Sequence, residues 1–260
     1  MAAITRPAGA AAASSFLTGW IGRACASVAL AGLVLFLART GLVLPAALVV
    51  VLAEMWPIGR GSWVRLPART SWLVMGLAAA LIIAVSTTMP LTQVTAAAIY
   101  ALWRILLAPR ADGRVRLGLA GLLVVQAMAF EALFLAAAVW GLPRGVVMAA
   151  VWLAVYATTY RELASRGERG AGVLAASWGL VAAEASWLFL TWLVSYITPG
   201  TYGIVPQPVV ILTGLGYCFG SIYADQRRGR LNRGRLAEYS LIGLVLVWLV
   251  IAGTPWRGTL

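Results

Sequence analysis

Hydrophobic residues occur along this chain in nine long blocks separated by short polar connections. Most blocks approach the ~20 residues that a helix needs to cross a hydrocarbon layer of ~30 Å. The pattern therefore predicts an all-α integral membrane protein with about nine transmembrane helices. The predicted segments cover residues 20–37, 40–56, 71–88, 90–107, 117–140, 143–160, 171–195, 208–223 and 236–252.

The connections alternate between arginine-rich and nearly arginine-free. The arginine-rich ones follow segments two, four, six and eight, and they contain Arg60, Arg65, Arg69, Arg110, Arg114, Arg116, Arg161, Arg166, Arg169, Arg227, Arg228, Arg230, Arg233 and Arg235. Because basic connections stay in the cytoplasm, this alternation predicts a cytoplasmic N-terminus over residues 1–18 and an external tail over residues 253–260. We place the chain in the inner, cytoplasmic membrane of a bacterium.

Every even-numbered segment begins at or near an apolar residue followed by proline. The four prolines are Pro45, Pro90, Pro143 and Pro206. Proline suits the first helical turn, where its missing N–H would have no partner in any case. The pattern predicts four helical hairpins, all pointing the same way, followed by one C-terminal helix within a single transmembrane domain. The prolines can mark a duplication around a shared site, or they can simply mark the outer ends of membrane helices.

The composition restricts the chemistry and the partners. The chain is 62% hydrophobic, 11% charged and carries a net charge of +12, with no histidine and no lysine. Imidazole bases, histidine-ligated metals and lysine Schiff bases are therefore excluded, and we expect no cofactor. The arginines lie in short loops between apolar segments, which favours the bilayer over nucleic acid as the partner. The two cysteines, Cys25 and Cys218, are too few and too far apart for a disulfide framework, and we expect both to be small buried hydrophobes.

Two glutamates inside apolar segments are the main candidates for chemistry. Glu131 lies in segment five and Glu184 lies near the middle of segment seven. A carboxyl at such a depth costs ~2.5–3.5 kcal/mol and normally faces the bundle interior or a wet cavity. Ser177 and Thr191, seven residues either side of Glu184, share its helical face and extend it into a polar stripe.

Segment five has a second polar residue, Gln126, which lies about 140° around the helix from Glu131. Glu131 must therefore find its partner on another helix. These five polar side chains form a candidate intramembrane binding site, consisting of Gln126, Glu131, Ser177, Glu184 and Thr191. The two acids can form a proton or cation relay or contact a substrate, or they can only hold helices together through hydrogen bonds.

Several other features have a topological explanation beside a functional one. Glu54 and Arg104 lie near the inner ends of segments two and four, where snorkelling to the interface explains each of them and an ion pair between hairpins is the alternative. The stretch from Ser195 to Pro208 is rich in proline, glycine and tyrosine, which suggests an ordered turn or a short re-entrant piece, although an ordinary interfacial loop explains it better. Gly214, Gly216 and Gly220 give segment eight a small-residue face suited to close helix packing.

The loop before segment nine is unusually basic. Arg227, Arg228, Arg230, Arg233 and Arg235 fall within nine residues. This density favours contact with anionic lipid headgroups at the cytoplasmic surface, although the positive-inside rule alone also accounts for it.

The C-terminal third of the chain resembles a known class of proteins. The stretch beginning at Glu184 with "SWLFL", the proline-led segment eight and the closing "RGRLAEYSLIGLVLVWLVIAGTPWRGTL" are similar to the C-terminal part of uncharacterised polytopic bacterial membrane proteins. The resemblance implies a helical membrane protein and carries no activity with it.

Three functional hypotheses remain open. The first is a small-molecule or ion transporter, or a permease-like subunit, that uses Glu131 and Glu184. The second is a non-catalytic membrane scaffold that packs against partner membrane proteins or against copies of itself. A lipid-modifying enzyme comes third, because nothing near the two acids supplies a nucleophile, metal ligands or a phosphate cradle, and we expect no catalytic residue and no metal site.

Overall fold

The computed structural model of the chain describes residues 8–55, 66–86, 90–107, 118–191, 195–197 and 204–253. These residues form nine helices and one short hairpin of strands. The helices are α1 (Ala8–Arg39), α2 (Val43–Met55), α3 (Leu66–Val85), α4 (Pro90–Leu107), α5 (Gly118–Trp140), α6 (Arg144–Ser165), α7 (Ala171–Thr191), α8 (Gln207–Arg227) and α9 (Arg233–Gly253), and the strands are β1 (Ser195–Ile197) and β2 (Ile204–Pro206).

The helices coincide with the nine apolar segments. The fourth segment has the predicted bounds, and each of the four prolines lies in the first turn of an even-numbered helix or directly before it. Helix α1 begins at Ala8, within the predicted N-terminal stretch of residues 1–18. Alanine has the highest helix propensity of all residues, so the Ala-rich stretch extends the apolar helix toward the N-terminus.

Four parts of these helices are long and apolar enough to cross a membrane. They are Trp20–Arg39, Gly118–Trp140, Ala171–Thr191 and Pro208–Arg227, and two shorter apolar helices, Val43–Glu54 and Thr70–Val85, accompany them. Length and composition thus support membrane association of a helical bundle with four candidate spans among the described residues. Arg60, Arg65, Arg110, Arg114, Arg116 and the predicted external tail from residue 254 onward lie outside the described residues.

Two apolar cores share α5. The first core is built by α1 to α4 with one face of α5, and Val34, Val50, Met75 and Ile83 are fully buried in it. The second core is built by another face of α5 with α6, α7 and α8. Helix α5 therefore joins the two cores, and α9 packs on α8.

The fourth predicted hairpin is not a packed one. Helix α7 packs along α6, whereas it touches α8 only sparsely, and α8 packs against α5 and α9 instead. The α7 side of the α6–α7 contact consists mostly of small buried residues at spacings of three and four, namely Ala171, Ala175, Gly179, Ala182 and Ser186. Small residues let two helix backbones approach closely, and this stripe selects α6 as the neighbour of α7.

Two short strands are described in the stretch between α7 and α8, and the residues that connect them, 198–203, lie outside the described residues. Strands β1 and β2 pair antiparallel, with Tyr196 opposite Val205, and β2 contacts α5 and α8. The expectation that both cysteines are buried is wrong for Cys25, which is exposed on α1, and correct for Cys218. Hydropathy cannot distinguish these two positions, because both cysteines lie in apolar segments.

Candidate functional site

A cleft of about 420 Å³ opens between α5, α6, α7 and α8. Ligand pockets usually have volumes of roughly 300–1,000 Å³ and are lined mainly by apolar side chains with a few polar groups. The cleft fits this description. Its lining consists of Leu119, Leu122, Leu123, Gln126, Thr159, Glu162, Leu163, Arg166, Leu174, Ser177, Trp178, Val181, Gly216, Phe219, Gly220, Ile222, Tyr223 and Gln226.

The cleft exists because α7 and α8 diverge. One rim contact joins them, the ring of Trp178 on α7 with the ring of Phe219 on α8, whose centroids are 5.6 Å apart. On the other side α8 approaches α5 closely at Gly216 and Gly220, where an added Cβ would lie 3.1 Å from a methyl carbon of Leu123 and 2.5 Å from one of Leu119. The glycines draw α8 toward α5, and the space between α8 and α7 stays open.

Polar groups lie at both ends of the cleft. At the end of the cleft beside Gly216, which we call the Gln126 end, the Gln126 amide nitrogen donates to the hydroxyls of Thr158 at 3.2 Å and Thr159 at 3.0 Å. These bonds join α5 to α6 and orient the Gln126 side chain. Its amide oxygen is directed toward Gly216, 3.7 Å from where a Cβ would stand. An amide oxygen accepts hydrogen bonds, so it offers an acceptor to a bound molecule.

The other end of the cleft is ionic. The Arg166 guanidinium donates through Nε at 3.1 Å and Nη2 at 2.8 Å to Glu162 Oε1. Gln226 and Tyr223 complete this end. This ionic end of the cleft lies beside the α6–α7 and α8–α9 connections. We call the side of the bundle that carries these two connections the basic end. The cleft can therefore hold an elongated apolar body whose polar group lies at the basic end.

Two arginines of the predicted lipid-facing loop are paired. Arg227 donates to both carboxylate oxygens of Glu168 at 3.1 Å, and Arg235 lies 3.4 Å from Asp225 Oδ2. A hydrogen bond with Tyr239 and the charge of Asp225 raise the pKa of Arg235, so this guanidinium remains charged.

The other three arginines of this loop are exposed. Arg228, Arg230 and Arg233 form no ion pair with any residue in the part of the chain that the structure describes. The basic end therefore presents guanidinium groups that are available to anions.

The structure brings together two of the five predicted site residues. Gln126 and Ser177 both line the cleft, whereas Glu131, Glu184 and Thr191 do not. Glu131 is half-buried. It lies on the side of α5 away from Gln126 and α6, and it forms no hydrogen bond or ion pair with the described residues. The two acids thus do not meet in this cleft.

Glu184 differs from the expectation of an interior position. Ser177, Glu184 and Thr191 share one face of α7, as predicted, but all three are exposed. The face that packs on α6 is the small-residue one. Close backbone approach determines the packing face of α7, so Glu184 and Thr191 lie on its outer side, whereas Ser177 borders the cleft.

A polar contact in the first core joins Glu54, Arg104 and Tyr100, of which the sequence pattern indicated only the first two. Glu54 is buried and forms an ion pair with Arg104, so the alternative of an ion pair between hairpins is correct and snorkelling is not. The buried Tyr100 hydroxyl also donates to Glu54 at 2.9 Å. Tyr100 and Arg104 are four residues apart on α4, and this spacing of a phenol and a guanidinium was the available signal.

Gly76 on α3 makes that contact possible. A Cβ at Gly76 would lie 2.5 Å from Val50 and 3.1 Å from the Tyr100 ring, so a larger residue there would force these two side chains to shift. We assign the Glu54 network to structure, because it ties α2 to α4 and does not line the cleft.

Comparison with protein families, with curated proteins and with solved structures gave no match, and the resemblance of the C-terminal third stays a prediction.

Proposed function

We propose that this protein is a multi-pass protein of the cytoplasmic membrane that binds an amphipathic small molecule in the cleft between α5, α6, α7 and α8 and serves its transport. The observation that carries the proposal is the cleft itself, whose apolar walls end in the polar groups of Gln126, Thr159, Glu162 and Arg166. A non-catalytic scaffold does not require such a space.

The orientation follows from the arginine pattern. With the positive-inside rule, the N-terminus and the basic end lie in the cytoplasm, and the ionic end of the cleft opens at the depth of the inner lipid headgroups. The exposed guanidiniums of Arg228 and Arg230, close to Gln226 in the chain, favour a negatively charged head on the bound molecule. A molecule with an apolar tail and an anionic head, of the chemistry of a membrane lipid, fits both ends.

Binding and ion coupling use different residues in this proposal. Gln126 and Ser177 contact the bound molecule, because they line the cleft. Glu131 remains the candidate for ion coupling, because a half-buried carboxyl inside a candidate span is costly to keep and the described residues offer it no partner.

Filling the cleft should abolish binding. In Gly216→Leu the added Cβ lies 3.1 Å from Leu123 and 3.4 Å from Trp178, and the rest of the leucine side chain occupies the Gln126 end of the cleft. We expect at least a ~10-fold loss, the equivalent of ~1.4 kcal/mol, in the labelling of the protein by a photoactivatable phosphatidylglycerol in reconstituted vesicles. The uptake of a fluorescent phosphatidylglycerol should fall in parallel.

The matched control is Gly243→Leu on α9, where an added Cβ meets nothing within 4 Å. This variant should label and transport like the wild type. Equal labelling of the Gly216→Leu and Gly243→Leu proteins would contradict the proposal. If the folded wild-type protein were neither labelled nor active in uptake, the scaffold would be favoured.

Glu131→Gln should separate binding from coupling. The amide keeps the shape of the side chain and removes its exchangeable charge. We expect unchanged phosphatidylglycerol labelling together with a loss of the proton dependence of uptake, measured in vesicles with an imposed pH gradient. A variant that loses labelling as well would place Glu131 in the binding site.

A further inference from the structure

Gln126 is the most deeply buried polar side chain of the cleft. It is 2% exposed, less than any other polar residue of the lining. Burial of an amide is costly unless its hydrogen bonds are made. The partners of its nitrogen and of its oxygen therefore indicate what the cleft requires of a bound molecule.

The nitrogen of this amide is fully used within the protein. It donates one hydrogen to Thr158 at 3.2 Å and the other to Thr159 at 3.0 Å. The Thr158 hydroxyl donates its own hydrogen to the backbone carbonyl of Ala154 at 2.7 Å, so it can only accept from Gln126. A reversed amide would place its oxygen against the lone pairs of Thr158. The hydrogen-bond network thus fixes the nitrogen toward α6 and the oxygen toward the cleft.

The oxygen of the same amide has no donor. It accepts no hydrogen bond from the residues that the structure describes, and it is directed toward Gly216, which has no side chain to supply one. Carbon atoms of Leu123 and of the Trp178 ring surround the same position. The cleft therefore contains a buried acceptor in apolar surroundings, and a bound molecule is the group that can reach it.

The Thr159 hydroxyl adds a donor beside this acceptor. It accepts from the Gln126 amide at 3.0 Å, lines the cleft and donates to no residue in the described part of the chain. Because Thr159 is bonded directly to the Gln126 amide, both groups lie within reach of one ligand atom. A hydroxyl both donates and accepts hydrogen bonds, so a single hydroxyl on the bound molecule satisfies Gln126 and Thr159 together.

The two ends of the cleft set the spacing between the polar groups of a ligand. Thr159 and Arg166 both line the cleft. They are seven residues apart on one face of α6, which separates them by about 10 Å along the helix axis. Most of the remaining lining is apolar, including Leu119, Leu122 and Leu163. A molecule that reaches both ends needs two polar groups joined by an apolar stretch of this length.

We propose that the cleft selects an amphipathic molecule with a hydroxyl group about 10 Å from its anionic group, and that Gln126 determines this preference. The inference rests on the proposed function, since it concerns the same bound molecule. A plain alkyl chain removes water from the Gln126 oxygen and offers no hydrogen bond in exchange, whereas a hydroxyl on the chain restores that bond. A site that hydrogen-bonds a hydroxyl discriminates against the analogue that lacks it.

Competition between two ligands tests the preference in the wild-type protein. Octyl phosphate with a hydroxyl at the end of its chain should displace photoactivatable phosphatidylglycerol in reconstituted vesicles at about a 10-fold lower concentration than the methyl ether of that hydroxyl. This is the factor expected for one buried acceptor left unpaired, because the ether lacks the hydrogen that Gln126 accepts. The ether is the more apolar ligand, so partitioning into the bilayer alone predicts the opposite order. Equal competition by the two ligands would overturn the proposal.

Two glutamine variants locate the effect. Gln126→Met keeps the length of the side chain without its acceptor, and in this variant the hydroxyl ligand should lose its advantage. The matched control is Gln93→Met on α4, because Gln93 is equally buried but does not line the cleft, and it should keep the wild-type preference. A preference that survives Gln126→Met would overturn the role of Gln126. If neither ligand competed while phosphatidylglycerol still labelled the cleft, this inference would fail and the proposed function would stand, whereas the absence of all labelling would overturn both.

Discussion

Glu54→Ala should lower the free energy of unfolding by about 3 kcal/mol, the lower end of the range for breaking a buried ion pair from one side. The substitution leaves Arg104 without its carboxylate and the buried Tyr100 hydroxyl without its acceptor. The lower end applies because the Arg104 side chain is 22% exposed, so water stabilises part of the remaining charge. Unfolding in mixed micelles of increasing denaturing detergent measures the effect.

A combined variant distinguishes the ion pair from simple loss of packing. Replacing these three polar groups, as Glu54→Leu, Tyr100→Phe and Arg104→Leu together, leaves neither the guanidinium nor the phenol without its acceptor and should recover much of the lost stability. Tyr100→Phe alone should cost about 1 kcal/mol, the ordinary value of one hydrogen bond. If the combined variant were less stable than Glu54→Ala, the polar contact would contribute net stability beyond the cost of unpaired groups.

Gly179→Leu should separate α6 from α7 and cost about 3 kcal/mol, near the upper end of the usual range for overpacking. An added Cβ at Gly179 would lie 3.0 Å from the Trp152 ring and 3.1 Å from the Trp152 carbonyl oxygen. A carbonyl oxygen within a helix cannot rotate away, so the two helices must move apart. Detergent unfolding reports the loss of stability, and proteolysis at the α6–α7 connection reports the separation.

The control lies on the same helix. An added Cβ at Gly172 meets nothing within 4 Å, and Gly172→Leu should change stability by no more than ~0.5 kcal/mol. Gly179→Ala should lie between the two. If Gly179→Leu and Gly172→Leu were equally stable, the small-residue stripe would not be what positions α7.

These expectations show how far the sequence alone leads. The nine helices and the prolines at the starts of the even-numbered ones follow from local rules, because the length of an apolar run and the conformational limits of proline act within a few residues. The Glu54–Arg104 pair could be named only as an alternative to snorkelling, because nothing local determines whether two helices bring those residues together.

The candidate site was only partly predictable. Gln126 and Ser177 were recognised as polar residues within apolar segments, and they line one cleft. The cleft itself could not be anticipated, because it depends on α7 packing on α6 and α8 packing on α5 while α7 and α8 contact each other only sparsely. Contacts between residues that are far apart in the chain cannot be predicted from the local pattern of hydrophobic and polar positions.

The sequence by itself determined the helices of this protein, their order and the unequal charge of its connections. Only the tertiary structure decided which face of each helix packs, and Glu184 illustrates the reason. In a water-soluble bundle the polar face would point outward and the apolar face inward. In a helix that is apolar on nearly all sides the hydrophobic pattern does not determine the packing face, and the position of small residues that permit close approach determines it instead. The glycine and alanines of α7 therefore face α6, and Glu184 lies on the exposed side of the helix.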